Sequence, residues 1–158
     1  LENQPNACAT VGLMQVSPNS RNVIPGTVFF CVDFRHPKDE VLSGMDAELR
    51  KACADIAAEI GLEMDFEEIW YSPPVAFDEA CVSAVRTACE GGDIPHMDIV
   101  SGAGHDACYL SRVAPTAMVF TPCLNGISHN EIESAEPEHL EAGCNVLLQA
   151  MIERANAT

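Results

Sequence analysis

The sequence predicts an α/β chain in two parts, on three observations. Strand-like alternation and helix-like stripes succeed one another along its 158 residues, giving β-β-α-β up to about residue 74 and α-β-α-β-α after it. Ser72-Pro73-Pro74 punctuates the change, which sets the expected units at 1–74 and 75–158. In the second part, two apolar runs each lead into a glycine-containing loop with a histidine. Ile99-Val100 precedes Ser101-Gly102-Ala103-Gly104-His105-Asp106-Ala107, and Ala117-Met118-Val119-Phe120, ending at Pro122, precedes Gly126-Ile127-Ser128-His129-Asn130-Glu131. Loops at strand ends are where α/β layers build clefts, and histidine titrates near neutral pH and binds metals.

The elements follow in order. Residues 9–17 alternate loosely, with Val11 and Leu13 set against Gly12, Met14 and Val16, and are expected as a strand. Pro18-Asn19-Ser20 and Pro25-Gly26 bracket a turn-rich loop. Residues 27–35 form the clearest strand: Val28, Phe30, Val32 and Phe34 line one face, and Thr27, Phe29, Cys31, Asp33 and Arg35 the other. Asp39 is a candidate cap for a helix to about Ile60, with the stripe Leu42, Met45, Leu49, Cys53, Ile56 and Ile60, and Gly61 suits its end. A strand is expected near 62–71. Asp78 is a candidate cap for the next helix, which turns Ala80, Cys81, Ala84, Val85 and Ala88 inward and ends at Gly91-Gly92. Short strands near 97–100 and 116–121 flank a helix beginning near His105. Pro137 in a first turn opens the last helix, with Leu140, Cys144, Leu147 and Met151 inward.

A hydrophobic content of 47% with 20% charged residues is that of a folded chain. The net charge of −16 argues against nucleic acid or an anionic membrane as a partner. No apolar run approaches the roughly 20 residues that span a bilayer. No signal-peptide pattern opens the chain, and it begins at Leu1, so a processed or excised piece of a cytoplasmic protein is expected. None of the eight cysteines forms a C-x-x-C pair; they read as buried thiols in a reducing compartment, with disulfides as the alternative.

Four segments in order carry a family resemblance: Val16-Ser17-Pro18-Asn19-Ser20-Arg21-Asn22-Val23-Ile24-Pro25-Gly26, then Val32-Asp33-Phe34-Arg35-His36-Pro37, then the two histidine loops. Together they resemble the hydantoinase/carbamoylase branch of the M20 metallopeptidase-like amidohydrolases, which includes N-carbamoyl-L-amino-acid hydrolases, β-ureidopropionases and allantoate amidohydrolases. The resemblance implies a catalytic α/β domain holding two divalent metal ions, zinc or manganese, and a ferredoxin-like α+β lid that makes the contact of a homodimer. On that pattern residues 1–74 are part of the lid and 75–158 the C-terminal part of the catalytic domain. An N-terminal segment with the other metal ligands and a glutamate base would lie outside the chain. The resemblance makes His129 a metal ligand, the only one expected here. It makes His105 a catalytic residue that polarises the substrate carbonyl. Asn22 and Arg35 would grip the substrate carboxylate across the dimer, and Gly102 and Ala103 would line the substrate. The implied substrate is a small ureido acid, and the chain alone is expected to be inactive.

Each residue has a plainer reading. A guanidinium fork suits a carboxylate, but Arg35 can instead pair with Asp33 on its own face. Asn22 can be a turn residue beside Pro25-Gly26. His129 can be a loop or capping histidine, with Glu131 and Glu133 either orienting it or solvated. His105, at a helix start where backbone N–H groups and Gly102 and Gly104 favour an oxyanion, can simply bond Asp106 or its loop. Cys108, three residues from His105, invites a thiol-nucleophile reading, although nothing suggests an activated thiolate. His36, His96 and His139 have no constellation. Two rival functions stand beside the amidohydrolase: a non-catalytic dimerisation or ligand-binding module, and an ordinary M20 dipeptidase or aminoacylase.

Overall fold

The two alternating runs before and after the turn-rich loop pair as an antiparallel hairpin in the computed structural model, which describes residues 6–157. Strand β1 (Cys8–Ser17) lies against β2 (Thr27–Arg35), with Cys8 opposite Arg35 and Ser17 opposite Thr27. The register shifts between Val11 and Leu13, so Gly12 is the extra residue of a bulge. The Gly26 N–H donates to the Ser17 carbonyl at 2.9 Å and closes the connecting loop.

Helix α1 (Asp39–Ile60) follows and touches β2. Its end is built as the sequence predicts: Gly61 takes the left-handed conformation at φ 72, and the Leu62 N–H returns to the Ala57 carbonyl at 2.8 Å. Asp39 is not the cap. It is the first helical residue, after extended Lys38, and its carboxylate accepts the Tyr71 hydroxyl instead. Met45 is buried, whereas Ile56 and Ile60 on the same predicted stripe are 57% and 61% exposed. Val32 and Phe34 are half-buried, and Val28 and Phe30 on that face stay exposed.

The expected strand at 62–71 is not formed. The only sheet among the described residues is the hairpin, and a strand exists only with a neighbour to complete its ladder. The segment runs back along α1, with the Arg50 guanidinium 4.1 Å over the Phe66 ring and Tyr71 at Asp39.

The chain divides between Pro74 and Val75 into two compact units. In the second, the Asp78 carboxylate accepts the Cys81 N–H at 2.9 Å and caps α2 (Glu79–Gly91) as predicted. That N–H draws the Asp78 pKa below the usual carboxylate value. A short α3 (Asp106–Leu110) and a long α4 (Pro137–Asn156) complete the helices, with Pro137 in the first turn of α4. The core joins Ala84, Ala88 and Cys89 of α2 to Val146 and Ala150 of α4, with Val85, Ile94 and Val119 packed around them. Small residues let the two helices approach closely. At Gly143 an added β-carbon would stand 2.5 Å from Thr121 Cγ2.

Three expectations for this unit are corrected. Residues 97–100 and 116–121 have no ladder partner among the described residues and are not strands. They are held from the side: Asp98 by Arg86 at 2.7 Å, and Thr116 by the Asp78 N–H at 3.0 Å. The inward face of α4 is the small-residue stripe of Val146 and Ala150, whereas Leu140, Leu147 and Met151 are exposed. A helix apolar on more than one side does not reveal from its own sequence which side is covered. Of the eight cysteines, all free, only Cys89 is buried, and Cys8 and Cys144 are exposed.

Candidate functional site

The candidate residues fall into two groups, one in each unit. In the first unit, Arg35 ends β2 opposite Cys8, while Asn22 lies in the loop at the other end of the hairpin. Eight residue steps along β2, at about 3.3 Å each, separate the hairpin ends by roughly 26 Å, so the two residues are not brought together. The Arg35 Nε donates to Asp33 Oδ1 at 2.7 Å, with both side chains about half exposed. That carboxylate raises the Arg35 pKa through its hydrogen bond and its charge. The plainer reading of Arg35 is therefore present as a contact; it uses the Nε edge of the guanidinium. The amide oxygen of Asn22 accepts the Ser20 hydroxyl at 3.0 Å, and the Val23 N–H reaches the Ser20 carbonyl at 3.4 Å, as in a local turn.

In the second unit, His105 sits at the N-cap of α3 with extended backbone, where the sequence places a helix start. Histidine is not among the usual capping residues, so this role is not legible in the sequence. Nδ1 accepts the Ala107 N–H at 3.0 Å. An imidazole that accepts at Nδ1 carries its neutral-form proton on Nε2 and presents that atom as a donor. The cap also uses a leading N–H of a helix only five residues long, so the expected oxyanion contribution of the helix start is weak and the donor on offer is the ring. Gly102 and Ala103 lie in the preceding loop, where the Ala103 N–H donates to Ser101 Oγ at 3.4 Å.

His129 is exposed, with left-handed backbone at φ 54, and Asn125 and Gly126 nearby are left-handed too. Non-glycine residues adopt that region at a cost, and such residues concentrate at functional sites. The loop is closed at its base by the Leu124 N–H on the Ser134 carbonyl at 2.7 Å. Glu133 Oε2 accepts the backbone N–H of His129 at 2.7 Å, so this carboxylate grips the loop backbone.

An imidazole on an exposed loop is a donor of the right chemistry for zinc or manganese, as one ligand of a set. Among the described residues no group of three or more histidine, cysteine, aspartate or glutamate side chains could hold a metal ion. His129 fits such a centre as a contributor and does not constitute one. Two open hollows in this unit, of about 320 and 600 Å³, are lined by neither His105 nor His129.

Comparison with known proteins places these residues in a family. The pattern of Peptidase family M20/M25/M40 matches residues 3–153. The N-carbamoyl-L-amino-acid amidohydrolase of Rhizobium meliloti is 46% identical over 155 residues, covering 98% of this chain and 37% of the relative. The allantoate amidohydrolase of Escherichia coli (strain K12) is 33% identical over 138 residues, covering 87% of this chain and 34% of the relative. A crystal structure of an amidase of the hydantoinase/carbamoylase family from Burkholderia multivorans superposes with a TM-score of 0.93 at 68% identity, over 98% of this chain and 38% of that one. The chain thus spans little more than a third of the length of the curated relatives it matches. It belongs to the M20/M25/M40 peptidase family, in the company of hydantoinase/carbamoylase amidohydrolases.

Proposed function

We propose that this chain works within a longer, metal-dependent amidohydrolase that cleaves the linear amide C–N bond of N-carbamoyl amino acids or related ureido acids. The observation that carries the reading is the 46% identity, across nearly the whole chain, to an N-carbamoyl-L-amino-acid amidohydrolase. It is supported by the two histidine loops, which supply side chains of the chemistry such a reaction needs.

In this reading residues 1–74 belong to the ferredoxin-like lid and 75–158 to the catalytic domain. The unpaired segment at 62–71 fits a lid whose central strand lies outside this chain. His129 is one ligand of a two-metal centre, and the other ligands and the general base come from sequence beyond the chain, so the chain alone is inactive. When bound, such a metal pair would supply Lewis-acid activation of the hydrolytic water, with His129 among the residues that would hold it. His105, its ring set by the Ala107 N–H, donates from Nε2 to the carbamoyl oxygen as negative charge develops there. Gly102 and Ala103 leave room for the substrate beside it. Asn22 and Arg35 recognise the substrate carboxylate. The hairpin holds them at opposite ends, so one lid would not bring both to a single small carboxylate, and a homodimer would offer a second copy of each. Hydrolysis consumes one water and releases ammonia, carbon dioxide and the free amino acid.

A substrate panel on the longer enzyme tests the proposal: N-carbamoyl-L-amino acids, ureidopropionate, allantoate, N-acyl amino acids and dipeptides, measured for binding and for ammonia or amine release. Turnover of one or more ureido acids with dipeptides untouched is expected. Cleavage of dipeptides or N-acyl amino acids alone would assign the chain to an ordinary M20 peptidase or aminoacylase. Carboxylate binding without turnover of anything would favour a ligand-binding module.

A further inference from the structure

We infer that Glu133 is a positioning residue that fixes the direction in which His129 presents its imidazole; the inference rests on the proposed ligand role of His129. The backbone of His129 is left-handed, at φ 54, a region that an L-residue occupies only when its surroundings hold it there. Three hydrogen bonds do so. Glu133 Oε2 accepts the His129 N–H at 2.7 Å. The Glu133 N–H donates to the Asn130 carbonyl at 2.9 Å. The Ile132 N–H donates to Asn130 Oδ1 at 3.1 Å. Residues 129–133 are thereby closed into a ring, with one carboxylate making the bond that ends on His129. A bond to a carboxylate is about twice as strong as one between neutral groups. It acts on the backbone, so it sets the Cα–Cβ direction of His129 and leaves both ring nitrogens to other partners. A liganding side chain must be held to within about half an ångström to be effective, and an exposed loop gives that only when tied internally.

The test uses the longer enzyme with Glu133→Ala, Glu133→Gln and His129→Ala. Three quantities are read: site-resolved hydrogen exchange at the His129 amide, zinc affinity by competition with a chromophoric chelator, and kcat and KM for an N-carbamoyl-L-amino acid. Glu133→Ala is expected to speed exchange of that amide about tenfold or more. It should lower zinc affinity and kcat by roughly ten- to a hundredfold, with KM little changed. Glu133→Gln, whose amide oxygen still accepts, should restore most of each loss. Unchanged amide exchange or unchanged zinc affinity in Glu133→Ala would overturn the inference. So would a Gln variant as impaired as the Ala variant while its His129 amide remains protected. If Glu133→Ala fails to fold, Glu133→Asp, whose carboxylate is one methylene short of the His129 N–H, takes its place, with the same losses expected and unchanged exchange or affinity again overturning the inference. Normal zinc affinity in His129→Ala would instead remove the ligand assignment on which the inference rests.

Discussion

Two helix glycines offer a controlled measurement of how tightly α4 is packed. Gly44 lies in α1 with nothing within 4 Å of an added β-carbon, whereas at Gly143 in α4 that carbon would stand 2.5 Å from Thr121 Cγ2. Alanine is favoured over glycine in a helix interior by about 0.8–1.0 kcal/mol, so Gly44→Ala should stabilise α1 by about that amount. Gly143→Ala has the same backbone gain, but the methyl must first recover roughly 1 Å to reach an ordinary carbon–carbon contact. Overpacking of that kind costs about 1–3 kcal/mol. The propensity gain cancels between the two variants, which should therefore differ by about 1–3 kcal/mol, with Gly143→Ala between neutral and about 2 kcal/mol destabilised. Thr121→Ser removes the offending methyl and should relieve most of the cost in the Gly143→Ala background, a coupling expected only of residues in contact. Urea unfolding with site-resolved hydrogen exchange on α1 and α4 would measure both. Equal stabilisation by the two alanines, or no relief from Thr121→Ser, would refute the close approach of α4 to the 116–121 segment.

Other outcomes follow from the same structure. The Asp78 pKa is lowered in the folded state by the Cys81 N–H, so its contribution is full above the ordinary carboxylate range and is lost as pH falls through the folded value, from about pH 4 downward. Asp78→Asn keeps a capping oxygen without the charge and should flatten that acid loss in α2, read by exchange across a pH series; an unchanged acid slope would remove the cap from the account. Arg35→Lys in the longer enzyme should lower kcat/KM for carboxylate-bearing ureido acids by about ten- to a hundredfold, because lysine lacks the two-point fork. An unchanged value would mean that Arg35 serves only Asp33. Mixed dimers of an Asn22→Ala subunit and a His129→Ala subunit should regain part of their activity if Asn22 reaches across the dimer, and no recovery after demonstrated subunit exchange would place it in its own subunit's site.

The parts of the fold legible in the sequence are those fixed by local chemistry. Alternation gives β2 its span from Thr27 to Arg35, Gly61 ends α1 because only a left-handed residue suits that turn, Asp78 caps α2, and Pro137 opens α4. What stayed hidden depends on neighbours. Residues 62–71, 97–100 and 116–121 have strand-like composition, yet a ladder needs a second chain segment that local pattern cannot supply. The covered face of α4 is not legible in its sequence because Leu140, Leu147 and Met151 form as good an apolar stripe as Val146 and Ala150, and the closeness of α2 selects the smaller side chains. For the candidate site, the position of His105 at a helix start was readable, whereas the use of its Nδ1 as the cap was not. The sequence could pair Arg35 with Asp33 by their shared face, but the separation of Arg35 from Asn22 emerges only from the hairpin register.

The proposed role of His129 as a metal ligand in an amidohydrolase acting on ureido acids is open to direct measurement. Metal content and ammonia release from an N-carbamoyl-L-amino acid, measured on the same preparations of the longer enzyme and its His129→Ala variant, test it most directly. The variant should lose bound zinc or manganese and most of its metal-dependent turnover together. Full metal content with unchanged ammonia release in the variant would contradict it.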